Sequence, residues 1–303
     1  MRLTAFEPFV MLKEVSTTAF MLILIWPMLI ACAQTEKSRE ESNEISNTQL
    51  GYNLTEPDYQ YQLPYDLEEI SGLSYFKDSI IVSVQDEAGK LFFYDYNQGK
   101  LLDDFRFGPD GDYEGVEVVD SVIYVVKSNG TLYAIHTSTK EVTKMKTGLS
   151  IKNDVEGLAY DRANKQLILA CKGESLSKSS GKSFYAFKLS KSAKVDKPIF
   201  KISKKQIKKF LKTEGIEKAV KEFKPSGIAV HPITGELFVL AHRGKWLLKL
   251  NQSYELIGVA SLNNKLFRQP EGICFTPAGD LLISNEGQGD RGSLLYYKYQ
   301  VSK

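Results

Sequence analysis

Cysteine and histidine are scarce in this chain, and their spacing excludes the common sites that they build. The 303 residues include three cysteines and three histidines. No two cysteines stand in a Cys-x-x-Cys pattern, so the sequence does not support a structural zinc site. Cys171 and Cys274 fall within strand-like segments, where buried free thiols are expected. A Gly-x-Ser-x-Gly nucleophile elbow is also missing, which excludes the usual serine hydrolase arrangement.

A hydrophobic run long enough to span a membrane is missing as well. The apolar stretch at residues 21–31 has eleven residues, which fits the core of a signal peptide better than a transmembrane helix. It ends in Leu29-Ile30-Ala31-Cys32, which resembles the lipobox of bacterial lipoproteins. The resemblance implies cleavage before Cys32 and attachment of lipid to it. We therefore expect a lipoprotein signal peptide at residues 1–31, with an uncleaved anchor as the alternative.

The segment after Cys32 is polar and has no apolar periodicity. This composition predicts that residues 32–57 form a lipidated cysteine followed by a disordered tether. The remaining residues, 58–303, can build one sizeable domain. Together these features predict an extracytoplasmic protein of the bacterial cell envelope, anchored to the inner or the outer membrane.

Basic charge is concentrated in one segment, although the whole chain has a formal charge of only +2. Residues 191–224 contain twelve lysines and four acidic residues. A solvated helix face explains such a run, and attraction to anionic lipid or glycan is the alternative. A nucleic-acid partner is not expected, because one basic insertion in an exported protein fits poorly with a basic working face.

A short phrase occurs five times: a small or acidic residue, then glycine, then an aliphatic residue that opens a strand. The copies are Ser71-Gly72-Leu73, Glu114-Gly115-Val116, Glu156-Gly157-Leu158, Ser226-Gly227-Ile228 and Glu271-Gly272-Ile273. Their glycines are 43, 42, 70 and 45 residues apart. Such a period, filled with short strands, is typical of a radial β repeat. The sequence therefore predicts an all-β fold, a five-bladed β-propeller of four-stranded antiparallel blades.

Two irregularities of the repeat carry further predictions. The long third interval has apolar residues at helical spacing around Gly215, which predicts a helical insertion between blades 3 and 4, at about residues 202–223, as two short amphipathic helices. The last repeat has sequence for only three strands, and a closed ring requires a paired edge. Residues 59–63 alternate like a strand, so we predict that they close the ring beside residues 294–299.

These phrases resemble those of the SdiA-regulated (YjiK-like) family of bacterial β-propeller lipoproteins, although the NHL-like repeats share single motifs. The matching phrases are Glu69-Ile-Ser-Gly-Leu73, Asp112-Tyr-Glu-Gly115, Asp154-Val-Glu-Gly157, Pro225-Ser-Gly-Ile228, Gln269-Pro-Glu-Gly-Ile273 and Ile283-Ser-Asn-Glu286. The similarity covers about residues 58–300. It implies five blades, a membrane-linked extracytoplasmic location and a calcium site, and it implies no particular reaction.

The repeat also predicts which residues meet in space. The first two strands of a blade form a hairpin, so the residue before the glycine and the residue after the second strand share one face of the ring. Residues two apart in an extended chain point the same way, which adds one more position per blade. We call this face the acidic rim. Its predicted members are Glu69, Ser71, Gln85, Asp112, Glu114, Lys127, Asp154, Glu156, Lys172, Lys224, Ser226, His242, Gln269, Glu271 and Glu286.

The acidic rim is a candidate calcium site, because calcium prefers carboxylate and carbonyl oxygens. The best candidate ligands are Glu114, Glu156 and Glu271, followed by Asp112, Asp154 and Glu286. Ion pairs within single blades are the alternative, because Glu114 faces Lys127 and Glu156 faces Lys172 across their hairpins. The family resemblance implies an acid where this chain has Lys127, which weakens the expectation of a complete family-type site.

Two kinds of function remain open at this point. The first is a non-catalytic propeller that binds a protein, a glycan or a small molecule at the acidic rim, with or without calcium. The second is a metal-dependent hydrolase of the lactonase or phosphoesterase kind. The sequence favours the first, because His242 is the only histidine predicted on the rim and no partner orients it in the sequence pattern.

Overall fold

In the computed structural model, the described residues are 50–177, 180–190 and 194–300. All of them belong to a compact unit, Glu44–Lys303. The expected signal peptide, Cys32 and most of the tether lie outside the described residues. Among those described, no helix has the length and apolar character needed to cross a membrane.

Five four-stranded antiparallel sheets make up the described fold. Blade 1 consists of β2 (Ile70–Lys77), β3 (Ile80–Gln85), β4 (Lys90–Asp95) and β5 (Lys100–Arg106). Blade 2 consists of β6 (Tyr113–Val119), β7 (Val122–Lys127), β8 (Thr131–His136) and β9 (Val142–Lys146). Blade 3 consists of β10 (Val155–Asp161), β11 (Gln166–Cys171), β12 (Lys182–Lys188) and β13 (Phe200–Ile202). Blade 4 consists of β14 (Gly227–Val230), β15 (Leu237–Ala241), β16 (Trp246–Leu250) and β17 (Leu256–Ser261). Blade 5 consists of β18 (Pro270–Phe275), β19 (Leu281–Asn285), β20 (Ser293–Tyr297) and β1 (Tyr59–Gln62). The predicted five-bladed β-propeller is confirmed.

The ring is closed by the first described strand. β1 pairs antiparallel with β20, with Tyr59 opposite Tyr296 and Gln62 opposite Ser293. The amide of Leu63 extends the pairing by donating to the carbonyl oxygen of Gly292 at 2.8 Å. This confirms the predicted closure, which satisfies the edge of β20 that would otherwise be open to other strands.

The inner strands are apolar on both faces because each blade is packed between two others. Every residue of β11 is buried, and β10 is buried at all positions except Tyr160. The inner strand of each blade contacts the inner strands of the two neighbouring blades, in the order β2, β6, β10, β14, β18 and back to β2. The apolar core therefore lies between the blades, and the inner strands surround a common axis.

The insertion between blades 3 and 4 contains one helix, α1 (Lys204–Thr213). Ser203 caps it: its side chain accepts from the amide of Gln206, whose own side chain accepts from the amide of Ser203. This capping box satisfies two backbone groups of the first turn. Ile207 and Leu211 are four residues apart and are both buried, which attaches the helix to the blades.

The prediction of a second helix in the insertion is wrong. The chain leaves α1 through Gly215 at φ +71°, and residues 216–223 are not helical. Tertiary contacts determine this backbone: the indole nitrogen of Trp246 donates to the carbonyl of Glu222 at 3.1 Å, and Lys224 forms a β-bridge with Arg243. The apolar spacing after Gly215 reflects burial of Phe223 against the blades, not a helix face.

The folded part also reaches further towards the amino terminus than the composition suggests. Leu50, Tyr52 and Leu54 belonged to the expected tether, but all three are buried in the core between blades 4 and 5. The hydroxyl of Tyr52 donates to the carbonyl of Gly279 at 2.5 Å. The segment is turn-like rather than extended, with Gly51 at φ +86°, so no strand-like alternation marks these residues as buried in the sequence.

Candidate functional site

The five repeat glycines form a closed ring around the axis. A Cβ atom on Gly72 would lie 2.7 Å from the carbonyl oxygen of Glu114, and one on Gly227 would lie 2.5 Å from that of Glu271. A Cβ atom on Gly272 would lie 2.6 Å from the carbonyl oxygen of Ser71, which closes the circle. Glycine is required here by the close approach of neighbouring backbones.

This ring leaves a very narrow opening at the acidic rim. Its cavity volume is about 10 Å³, which is room for about one water molecule or one small ion. Besides the glycines and the aliphatic residues after them, it is lined by Glu114, Glu156, Ser226 and Glu271. The three carboxylates that the sequence ranked first as ligands are therefore brought to one opening, from blades 2, 3 and 5.

Glu156 is engaged in an ion pair. It is buried, and its carboxylate contacts the ammonium of Lys172, which also lies 3.7 Å from Asp154. Burial raises the pKa of Glu156 although the charge of Lys172 lowers it. Burial lowers the pKa of the Lys172 amine, but Glu156 and Asp154 raise it by more, so the net shift is upward. This is the within-blade pairing that the sequence left open as an alternative to a cation.

Glu114 has no such pair among the described residues. The ammonium of Lys127, its expected partner, lies 4.7 Å from the centre of the Tyr113 ring instead. Burial, the charge of Glu156 and a hydrogen bond with Asp112 raise the pKa of Glu114 to about 11. The surroundings of Glu114 therefore favour the protonated form of its carboxyl group.

The third carboxylate of the opening, Glu271, binds a histidine. Its Oε1 lies 2.9 Å from Nδ1 of His242. The backbone of His242 is held by Ser226, whose hydroxyl accepts the His242 amide at 3.1 Å and donates to the carbonyl of Pro270 at 2.8 Å. The imidazole is thus oriented by a carboxylate, a relation that the sequence analysis did not detect because the two residues are in different blades.

A second acidic group lies where blade 5 meets blade 1. Burial, a hydrogen bond with Glu69 and the charge of Glu271 raise the pKa of Glu286 to about 8, and Gln269 donates to its carboxylate. Burial and the charge of Glu69 raise the pKa of Asp86 to about 6. The sequence analysis did not include Asp86 in the acidic rim. It had assigned the rim position of blade 1 to Gln85, and Asp86 is the next residue, just after the end of β3.

The predicted rim residues form two groups that are linked to each other. Asp112, Glu114, Asp154, Glu156 and Lys172 interact on one side, and Glu69, Asp86 and Glu286 interact on another. The charge of Glu271 raises the pKa of both Glu156 and Glu286, and the charge of Asp112 raises that of Asp86. Ser71 contributes backbone, since its carbonyl accepts the Ser284 hydroxyl at 3.5 Å. Within residues 50–300, as far as they are described, no three acidic, histidine or cysteine side chains are arranged to hold a metal ion.

Comparisons with known proteins agree with the fold. No curated protein matches the chain. Among solved structures, the glutaminyl cyclase of Myxococcus xanthus is 12% identical with a TM-score of 0.56, over 82% of this chain and 97% of that one. A streptogramin B lyase is 12% identical with a TM-score of 0.44, over 80% and 73%. These similarities show the fold alone. The model of the SdiA-regulated family matches residues 52–288, and the chain belongs to that family.

Proposed function

We propose that this protein is a non-catalytic binding or scaffold protein of the bacterial cell envelope, attached to a membrane through lipid on Cys32. It recognises a protein, a glycan or a small molecule at the acidic rim. The observation that carries this proposal is the closure of the axis by the glycine ring, which leaves about 10 Å³ at the rim. A surface of this kind offers charged groups to a partner but does not enclose a substrate.

We further propose that the acidic rim binds calcium through Glu114, Asp112 and Glu156, whose side chains would have to rearrange around the ion, because no three such groups are arranged for a metal among the described residues. These residues supply carboxylate oxygens, which are the ligands that calcium prefers. Burial and the charge of Glu156 raise the pKa of Glu114 although Lys172 lowers it, and a cation would favour the ionised carboxylate over the protonated form. Lys172 competes with the cation for Glu156, so the expected affinity is modest. When bound, the ion would neutralise the carboxylates and leave coordination positions for an acidic group of a partner.

The test is the thermal unfolding of the full chain in detergent, with EDTA and with calcium at about 100 times its Kd. Binding to the folded state alone contributes about 3 kcal/mol under these conditions, equivalent to a rise in Tm of roughly 6–12 °C. Glu114→Gln should abolish the rise, and Asp103→Asn, on the exposed outer strand β5, should retain it. An unchanged Tm in the wild-type chain would reject the calcium site and leave the ion pairs as the structure of the rim.

A metal-dependent hydrolase is a second candidate, and one observation favours it. The contact between His242 and Glu271 at 2.9 Å holds an imidazole at the rim in the manner of a general base. A screen of lactones and phosphoesters with added divalent cations tests this function. Turnover that falls about 100-fold or more in both His242→Gln and Glu156→Gln would support it, and the absence of any turnover would reject it.

A further inference from the structure

A second and much larger cavity lies at the other end of the axis. The inner strands run from the acidic rim to the turns that join the first two strands of each blade, and we call this end the hairpin mouth. The cavity there has a volume of about 970 Å³ and is lined by residues of all five blades. This volume is at the upper end of the range of about 300–1,000 Å³ that is typical of small-molecule sites.

The repeat explains why the axis is wide at this end. In four of the five blades, the residue two positions after the ring glycine is small, and in blade 2 it is Glu117. The five residues are Ser74, Glu117, Ala159, Ala229 and Cys274. The next residues are Tyr75, Val118, Tyr160, Val230 and Phe275, and all five line the cavity. Small side chains near the axis open the space, and three aromatic residues supply its walls.

Glu117 is the one acid in the ring of small residues. Its Oε1 accepts from the hydroxyl of Ser74 at 3.3 Å, and that hydroxyl accepts the amide of Val118 at 3.2 Å. The amide of Tyr160 also donates to the Glu117 carboxylate. The carboxylate is therefore held at the junction of blades 1, 2 and 3, and it lines the cavity.

The negative charge of Glu117 is not neutralised by an ion pair within the described residues. Burial raises its pKa to about 7, although the hydrogen bonds and the more distant Arg162 lower it. Its charge also raises the pKa of the Cys274 thiol, second to the effect of burial. Glu117 is only partly buried in the free chain, and its carboxylate is stabilised by any ligand that brings a positive charge to it and covers it.

The other charged groups of the cavity do not offset this preference. Arg162 lies near the outside, with its guanidinium carbon 5.8 Å from the centre of the Tyr160 ring. Asp161 accepts hydrogen bonds from Asn164, Gln166 and Tyr254, and those bonds lower its pKa despite burial. Asp120 adds a further negative charge to the lining. The cavity is thus negative in balance and aromatic in its walls.

We propose that the cavity at the hairpin mouth binds a small organic cation, a protonated amine carried by an aromatic or branched apolar body. The ammonium group lies against the carboxylate of Glu117, and the body packs against Tyr75, Tyr160 and Phe275. Ammonium groups are also attracted to aromatic faces, which adds to the ion pair. This site is separate from the acidic rim, because the glycine ring closes the axis between them.

Three indole compounds of nearly equal shape test the proposal by isothermal titration calorimetry at pH 8 with the full chain. Tryptamine is cationic, tryptophol is neutral and indole-3-propionate is anionic. We expect tryptamine to bind at least about tenfold more tightly than tryptophol, the usual advantage of a hydrogen bond to a charged group. Indole-3-propionate should bind more weakly than either. No tryptamine binding up to about 10 mM, or equal affinities for tryptamine and tryptophol, would overturn the proposal.

Two variants locate the site. Glu117→Gln keeps the shape and hydrogen-bonding capacity of the side chain, and it should lower the affinity for tryptamine at least about tenfold while leaving tryptophol unchanged. Asp103→Asn, on the exposed outer strand β5, is the matched control and should change neither affinity by more than about twofold. Full tryptamine binding in Glu117→Gln would refute the cavity site. Unfolding curves of both variants establish that they are folded.

Discussion

Replacing Glu114 by glutamine should stabilise the protein at neutral pH in the absence of calcium. The pKa of Glu114 is raised from 4.5 to about 11, mainly by burial and the charge of Glu156. An acid whose folded pKa lies above its unfolded value makes folding less favourable as the pH rises. Between pH 4.5 and about 11 the folded chain keeps this proton and the unfolded chain does not. Each pH unit in that window therefore removes about 1.4 kcal/mol of stability.

At pH 7 the accumulated loss is about 3 kcal/mol, counted from the ordinary pKa of 4.5. Glutamine imitates the protonated carboxyl, can still donate to Asp112 and binds no proton. The free energy of unfolding of Glu114→Gln should thus exceed that of the wild type by up to about 3 kcal/mol at pH 7 and by little at pH 4.5. Urea unfolding with EDTA between pH 5 and 8 measures both values.

Calcium should reverse the sign of this effect. If the ion replaces the proton on Glu114, the wild-type chain gains stability from binding and the glutamine variant does not. Parallel pH profiles of the two chains in EDTA would refute the argument, since they would mean that Glu114 is ionised in the folded state. A variant that is less stable than wild type in EDTA at pH 7 would refute it equally.

Three further substitutions probe the ring, the ion pair and the insertion. Gly272→Ala places a Cβ atom 2.6 Å from the backbone of Ser71 and should lower the free energy of unfolding by about 1–3 kcal/mol. Gly289→Ala is the control: it lies in open space at φ +82° and should lower the free energy of unfolding by about 1 kcal/mol. Urea titrations measure both values. Lys172→Met leaves Glu156 buried without its partner and should lower stability by about 3 kcal/mol; a double-mutant cycle with Glu156→Gln should recover most of this. Ser203→Ala removes the cap of α1 and should reduce thermal stability by about 1 kcal/mol, and an unchanged Tm would contradict the role of that cap.

The five-bladed architecture was predictable because the inner strands meet closely around the axis, and this close approach requires a glycine at the same position of every blade. Only glycine fits where Gly72 meets the backbone of Glu114, so each blade repeats it. The outer strands could not be placed for the opposite reason: the residues of β9 are mostly exposed, and solvent imposes little pattern on them. The second helix of the insertion failed because periodicity alone cannot distinguish a helix from a segment that is buried by contacts with Trp246.

The candidate site was predictable in position but not in its bonds. Equivalent positions in the repeat correctly brought Glu114, Glu156 and Glu271 to one opening. The choice of partner depends on side-chain conformations and on distances within and between blades, which a sequence repeat does not contain. Lys127 lies over Tyr113 and Glu271 takes His242, so one expected pair is missing and one unexpected pair is present.

The packing of Tyr52 has a mechanical consequence for the proposed attachment to a membrane. A force applied to the chain from the amino-terminal side acts on the contacts of Tyr52 before it acts on β1. The Tyr52 ring is buried, its hydroxyl is bonded to Gly279, and the carbonyl of Gly51 accepts the amide of Gln300 at 2.9 Å. Tension is therefore borne by an aromatic anchor between blades 4 and 5, and the four-residue strand that holds the propeller shut is shielded from being peeled away.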